Sequence, residues 1–472
     1  MPRQKALEWI STNQARIIEI SKEIWNYAEI ALREFKSSAL LADELDRAGF
    51  SVQRGVAGMP TAFTAVYGSG EPVLGIMGEY DALPGLSQKA VAYREPEREG
   101  APGHGCGHNI HGTSGMAAAI AVKQAIEGKR LHGTVKYFGC PAEETLTGKV
   151  FMVRDGVFGG VQALLSHHPA QVNVTPMRSS NAMNSVRFHF HGRASHAAVS
   201  PTDGRGASDA AELMNVAANY MREHIVQEAR IHYVVEDGGH EPNVIPPYAR
   251  SWYYVRAPQR DQVEYIYKWV LDLAKGADLM AQTTHEVEFL SGCYNTLPNR
   301  CLCELVTGNM RSIGAPSYSE EELRFAAELA RSIPVQQKRE WLRRSGRPNG
   351  ESLLNTLIDT SIPDPWDEGH KGGGSTDVGD VSWNAPTLEF LTATGILGTP
   401  GHSWQFAAQS GMSIGHKSLL FAAQTMAVSI LDLMTRPELL SAAKAEFLER
   451  TRDNAYRSPL PADLQPPVYS PR

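Results

Sequence analysis

Val73-Leu74-Gly75-Ile76-Met77 runs without a break into Gly78-Glu79-Tyr80-Asp81-Ala82-Leu83-Pro84-Gly85. A short apolar run ending in an acidic turn rich in Pro and Gly reads as a strand that delivers functional groups, as in α/β enzymes. Asp81 alone fits a simple turn residue equally well. The same arrangement recurs downstream. Thr134–Gly139 is β-like and delivers Cys140-Pro141-Ala142-Glu143-Glu144. Adjacent side chains on extended backbone point to opposite sides, so one carboxylate can hold a metal while the other faces substrate or water. Taken alone, the pair also fits a solvated acidic turn. Ala163–Leu165 is another strand, ending in Ser166-His167-His168-Pro169.

Before the second of these strands lies Pro102-Gly103-His104-Gly105-Cys106-Gly107-His108-Asn109-Ile110-His111, with three histidines and a cysteine in ten residues. Thiolate and neutral imidazole are ligands for zinc-like ions. The interspersed glycines permit the tight turns that let close-spaced side chains converge. The Ala- and Met-rich Gly112–Ile126 reads as a buried helix, so His108 sits at a loop-to-helix junction. Four such ends, carrying Asp81, Cys106/His108, Glu143/Glu144 and His167/His168, point to a metal site rather than to four solvated loops.

Further out, residues 5–30 carry apolar residues at helical spacing, and Ser37–Ala48 reads as a helix stopped by Gly49. Ala62–Tyr67 is β-like. The texture changes near Asn181. Strands at Ser185–Gly192, Ile231–Val235, Ala249–Val255 and Glu286–Leu290 alternate with helices at Gly206–Arg222 and Arg260–Lys275. That βαββαβ order is ferredoxin-like. The expected organisation is a catalytic α/β/α domain with a mixed central sheet, residues 1–181 and 294–472. A ferredoxin-like α+β domain, 182–293, is inserted in it. A strand at Thr387–Leu391 leads to Gly398-Thr399-Pro400-Gly401-His402-Ser403-Trp404; helices near Gly415–Thr435 and Pro437–Arg450 and a Pro-rich tail follow.

The 472 residues suffice for two or three domains. A net charge of −7 excludes a basic field for nucleic acid or an anionic membrane. No apolar run approaches the roughly 20 residues that span a bilayer, and the first residues lack a signal-peptide core. Five cysteines without regular spacing, Cys106, Cys140, Cys293, Cys301 and Cys303, argue for a reducing cytoplasm.

Gly-Glu-Tyr-Asp-Ala-Leu-Pro (78–84), Gly-Cys-Gly-His-Asn (105–109), Pro-Ala-Glu-Glu (141–144) and His-His-Pro (167–169) resemble, in this order, the M20 family of metallopeptidases and amidohydrolases. Gly-Arg-Ala-Ser-His-Ala (192–197), Pro-Asn-Val-Ile-Pro (242–246) and Gly-Thr-Pro-Gly-His-Ser (398–403) continue the match. Gly374–Trp383 and Trp252–Pro258 are similar to its p-aminobenzoyl-glutamate hydrolase B-subunit group. The resemblance covers nearly the whole chain. It implies Cys106 as a bridging ligand, with His108, Glu144, His168 and His402 as the other ligands of two divalent ions, zinc or manganese. It implies Glu143 as general base and His196 as oxyanion stabiliser, often across a dimer interface. Asn243 and Arg256 would hold a substrate carboxylate, as amide and guanidinium donors suit. Asp81 would orient a ligand histidine, and His167 would be pocket wall. Tyr80, Trp252, Tyr253 and Trp404 are candidates for an acyl pocket. His104, His111, Ser375 and Asp377 lie near the site by motif, with no assigned role.

The function implied is hydrolysis of an N-acyl amino acid, with an aromatic acyl group such as p-aminobenzoyl, in a homodimer, with an A-type partner subunit also open. Auxin-type conjugates or dipeptides are alternative substrates. An aromatic aminohydrolase, for which Arg256 would be dispensable, and a non-catalytic partner subunit also remain. A cysteine-nucleophile reading of Cys106 leaves Glu143, Glu144 and His402 unexplained.

Overall fold

The computed structural model describes residues 2–129 and 131–468; the last four residues of the Pro-rich tail lie outside them. The strands are β1 Ser51–Arg54, β2 Phe63–Ser69, β3 Val73–Glu79, β4 Gly133–Cys140, β5 Ala163–Ala170, β6 Ala182–His191, β7 Arg230–Asp237, β8 Tyr248–Ala257, β9 Thr284–Cys293 and β10 Thr387–Ala393.

Six of them form a mixed sheet in the order β1-β2-β4-β3-β5-β10. β4, β3, β5 and β10 run parallel, and β1 and β2 are an antiparallel flank. Parallel strands are buried on both faces, which is why β3 reads as continuous apolar sequence. Leu74, Ile76, Val135, Tyr137, Ala163 and Leu165 face one core, and Met77, Phe138, Cys140 and Leu164 face a second. The first core is closed by helices Pro2–Thr12, Gln14–Tyr27, His108–Lys129 and Ser413–Thr435. The second is closed by Gly148–Arg154 and Val378–Ser382. Gly75 has no room for a side chain: a Cβ there would lie 2.8 Å from the Leu164 side chain.

Three details differ from the sequence expectations. The helical pattern over 5–30 is two helices, because Asn13 (φ −100°, ψ 10°) interrupts it and its side chain donates to the Trp9 carbonyl at 2.8 Å. β5 continues through His167 and His168, because β10 pairs with it as far as Ala170. Helix Ser413–Thr435 is long and apolar enough by composition to cross a membrane. It is mostly buried in the first core, which accounts for its apolar surface on all sides.

His416, in the first turn of that helix, is 5% exposed, and burial, with Lys22 nearby, lowers its pKa to about 4. Its neutral form therefore contributes stability that is full above pH 6.5 and is lost as pH falls toward 4. The slope is up to about 1.4 kcal/mol per pH unit. Urea midpoints of His416→Leu should fall less steeply than wild type across this window; parallel curves would contradict this.

The second sheet, in the order β7-β8-β6-β9, is antiparallel throughout. Helices Ala207–Met221 and Arg260–Ala281 cover one face around a separate core of Val186, Phe188, Phe190, Tyr253 and Val255. The observed element order is the βαββαβ read from the sequence.

Candidate metal centre

The carboxyl ends of β4, β3 and β5 lie side by side, which is where open α/β sheets bind ligands. Helix His108–Lys129 starts at the same edge. Gly107 (φ +82°) precedes it, and a Cβ there would lie 2.9 Å from Pro169 Cβ. Only glycine lets the Cys106–His108 turn approach β5 this closely.

Cys106 Sγ lies 3.4 Å from His168 Nε2. Donor atoms of Cys106, His108 and His168 are all within 4.8 Å of one another, and so are those of Cys106, Glu144 and His402. Cys106 belongs to both groups. Glu144 Oε2 is 3.4 Å from His402 Nε2. His402 arrives from the loop after β10 in the left-handed region (φ +52°), and its N–H donates to the Gly105 carbonyl at 3.2 Å. Such backbone strain in a bulky residue persists where neighbours hold it.

Asp81 supports two of these groups. Its Oδ1 is 2.9 Å from His108 Nδ1, and its Oδ2 accepts from the Glu144 N–H at 2.9 Å. His168 Nδ1 is 2.8 Å from the Pro169 carbonyl. Both contacts assign Nδ1 as the donor and leave Nε2 free for a ligand. The Nε2 of His108 and Oε1 of Glu144 are buried without a hydrogen-bond partner. Burial pushes the Cys106 thiol up and lifts Glu144 to about 7. A thiolate here requires an adjacent cation.

Glu143 follows Ala142 (φ +57°) in a tight turn, and its Oε2 is 4.0 Å from His108 Nε2. Burial, then the charges of Glu79 and Asp377, holds its carboxyl well above the usual range. The turn is fixed by Glu34, whose Oε1 accepts from the N–H groups of Leu32 and Ala142, each at 2.9 Å.

Beneath the donors lies a buried ionic layer that the sequence motifs did not reveal. Lys149 Nζ contacts Glu79 Oε1 at 2.7 Å and Asp377 Oδ1 at 2.5 Å, with all three side chains 0% exposed. Glu79 Oε2 is 3.3 Å from His108 Nε2. Burial would raise the Glu79 carboxyl, but His111, Lys149 and His108 outweigh it and keep it low. The signal for Glu79 was its place two residues before Asp81, on the same side of an extended chain.

Other expectations resolve differently. His167 is core rather than pocket wall: it is fully buried between Ser114 Oγ (3.1 Å) and Thr392 Oγ1 (2.6 Å), because it faces opposite to His168 on β5. His104 contacts the Ile24 carbonyl, and His111 accepts from the Glu79 N–H. Tyr80 and Tyr253 are fully buried, and Trp252 donates to Ser185 Oγ, so these three belong to packing. Trp404 lines a cavity of ≈330 Å³ on the His402 side.

His196 is exposed and pairs with Val244, and Ala197 N–H donates to the Asn243 carbonyl. Arg256 lies at the opposite end of β8, beside Met183. Its guanidinium rests over Tyr254 at 5.4 Å, and its Nε is buried without a partner. Tyr248 to Arg256 alone is eight strand steps, roughly 26 Å at about 3.3 Å per residue, and Asn243 lies before Tyr248, where β8 begins. The structure thus does not bring these two together within a single subunit.

The profile of peptidase family M20/M25/M40 matches residues 75–333. The B-type subunit of the p-aminobenzoyl-glutamate hydrolase of Escherichia coli (strain K12) is 38% identical over 97% of this chain and 97% of its own length. The Xaa-Arg dipeptidase of Mus musculus is 28% identical over 94% of this chain and 92% of its own length. A solved aminohydrolase structure from methicillin-resistant Staphylococcus aureus, described as putative, superposes with a TM-score of 0.63 at 18% identity, covering 92% of this chain and 100% of that one. With its strand-end motifs converging on one donor cluster, the chain belongs to peptidase family M20/M25/M40, a family of metal-dependent amide hydrolases.

Proposed function

We propose that this protein hydrolyses the amide bond of N-acyl amino acids with an aromatic acyl group, of which p-aminobenzoyl-glutamate is the model. The observation that carries the reading is the meeting of Cys106 with His108/His168 on one side and Glu144/His402 on the other, beside the buried Glu143. The 38% identical relative, a component of a p-aminobenzoyl-glutamate hydrolase, supports the substrate class.

The five donors suit two divalent ions, zinc or manganese. The orphaned His108 Nε2 and Glu144 Oε1 are atoms such ions would engage. Bound cations supply polarisation of the scissile carbonyl and acidification of water. Glu143 takes the proton of the attacking water and hands it to the leaving nitrogen. Arg256 holds the carboxylate of the leaving amino acid.

Residues 182–293 serve as a lid and dimerisation domain on a catalytic unit of 1–181 and 294–472. His196 and Asn243 lie at the lid's far end, so we assign them to the site of a second copy, stabilising the oxyanion and binding the carboxylate there. Edge strand β7 and helix Ala207–Met221 support this pairing: Tyr220 is 70% exposed and Val234 52%, an apolar edge that a soluble sheet must cover. An A-type partner is the second reading for this edge, because the E. coli relative is the B-type component of its hydrolase. Five free cysteines fit a reducing cytoplasm.

Dipeptides are the second substrate reading, favoured by the 28% identical Xaa-Arg dipeptidase. A hydrolysis screen that varies acyl and amino parts separately decides between them. Arg256→Ala should raise KM for carboxylate-bearing substrates about tenfold or more with a smaller change in kcat. Unchanged KM would remove the carboxylate clamp.

A further inference from the structure

A cavity of ≈250 Å³ opens directly beside Cys106 and His168. Its walls include Trp341, Trp366 and Phe406. Trp341 and Trp366 lie in the segment after helix Glu320–Ala330, beyond residues 75–333 that match the family profile. Their rings pack with Val172, Val174, Leu342 and Leu397, all buried. Trp366 is fixed twice: its Nε1–H donates to the Ser345 carbonyl at 3.0 Å, and the Arg347 guanidinium lies 5.6 Å from its ring centre. The walls are therefore formed before any ligand arrives.

The charges around this cavity are already balanced. Arg347 pairs with Asp359, both side chains being at most 5% exposed. Arg178 Nη1 stands 3.8 Å from Asp367 Oδ2. No uncompensated cation therefore remains among the described residues of its wall to receive a carboxylate, whereas aromatic side chains offer a flat apolar slot. An apolar cavity of about 150 Å³ already takes benzene, so ≈250 Å³ is ample for one substituted ring.

We propose that Trp341, Trp366 and Phe406 form the subsite for a neutral aromatic acyl group, and that this cavity determines acyl specificity. The inference rests on the amidohydrolase reading above and assigns one part of the substrate to one place. The amino-acid part, which carries the carboxylate, is left to the lid.

The test compares kcat/KM for p-aminobenzoyl-glutamate and N-acetylglutamate in metal-loaded wild type, Trp341→Leu and Trp366→Leu. Ala170→Leu, which fills the cavity from β5 without removing a wall, is the second kind of variant. The preference for p-aminobenzoyl over acetyl should fall about 10- to 100-fold in each, the factor expected from one aromatic contact surface. A preference within twofold of wild type in all three overturns the assignment. So does a loss that follows the amino acid (p-aminobenzoyl-glutamate against p-aminobenzoyl-alanine) instead of the acyl group. If wild type hydrolyses none of these amides, the aromatic N-acyl reading fails, and calorimetry with the neutral p-aminobenzamide decides the subsite. Binding weakened tenfold by the variants supports it, and binding that is absent or unchanged overturns it.

Discussion

Glu143→Gln is expected to lower kcat by about 10²- to 10⁴-fold, the contribution of a positioned general base, while leaving the metal content of the protein unchanged. The two readouts separate because the side chain next in sequence, Glu144, is the one beside His402, whereas Glu143 Oε2 lies 4.0 Å from His108 Nε2. The substitution keeps shape and volume, so the turn held by Glu34 and Ala142 survives. Burial and the nearby Glu79 and Asp377 carboxylates raise the proton affinity of Glu143, which suits the base proposed for it. Turnover within tenfold of wild type would remove Glu143 as the base. Loss of metal along with activity would make it a ligand instead.

The second large effect is on stability. Lys149→Met should destabilise the protein by about 3–5 kcal/mol, the cost of stranding buried charge by removing its partner. Lys149 Nζ is the cation between Glu79 and Asp377, and all three side chains are fully buried. Replacing Asp377 by Asn in the Lys149→Met background should recover part of the loss, because one uncompensated carboxylate is then gone. Urea denaturation measures both. A loss under about 1 kcal/mol, the range of exposed pairs, would mean that the layer is not a buried ionic structure. The layer also matters for the site: Glu79 Oε2 is 3.3 Å from His108 Nε2, so Lys149 governs the charge beside a candidate ligand.

The strand-end motifs were readable in sequence because a parallel sheet puts its chemistry at the carboxyl ends of successive strands. Asp81, Cys106, His108, Glu144, His168 and His402 all stand in such motifs, and the chain folds them into one cluster. The βαββαβ order of 182–293 was legible because its strands alternate and its helices are amphipathic. What stayed hidden depends on contacts between distant segments. Lys149 and Asp377 are 228 positions apart and carry no local sign that they are paired. By residue type alone His167 and His168 look equivalent, and the resemblance that separated them made His167 pocket wall; the pleat of β5 instead sends it into the core and His168 to Cys106. Trp341 and Trp366 come from a region without a motif, so the cavity they wall next to the donors was invisible. The aromatics chosen from sequence, Tyr80, Trp252 and Tyr253, sit instead in packing.

Release of glutamate from p-aminobenzoyl-glutamate, followed as metal is removed by a chelator and then restored as zinc or manganese, tests the central claim most directly. The expected result is no release from metal-free protein and recovery that saturates near about two ions per chain. Full activity in metal-free protein, or no release at any metal loading, would contradict it.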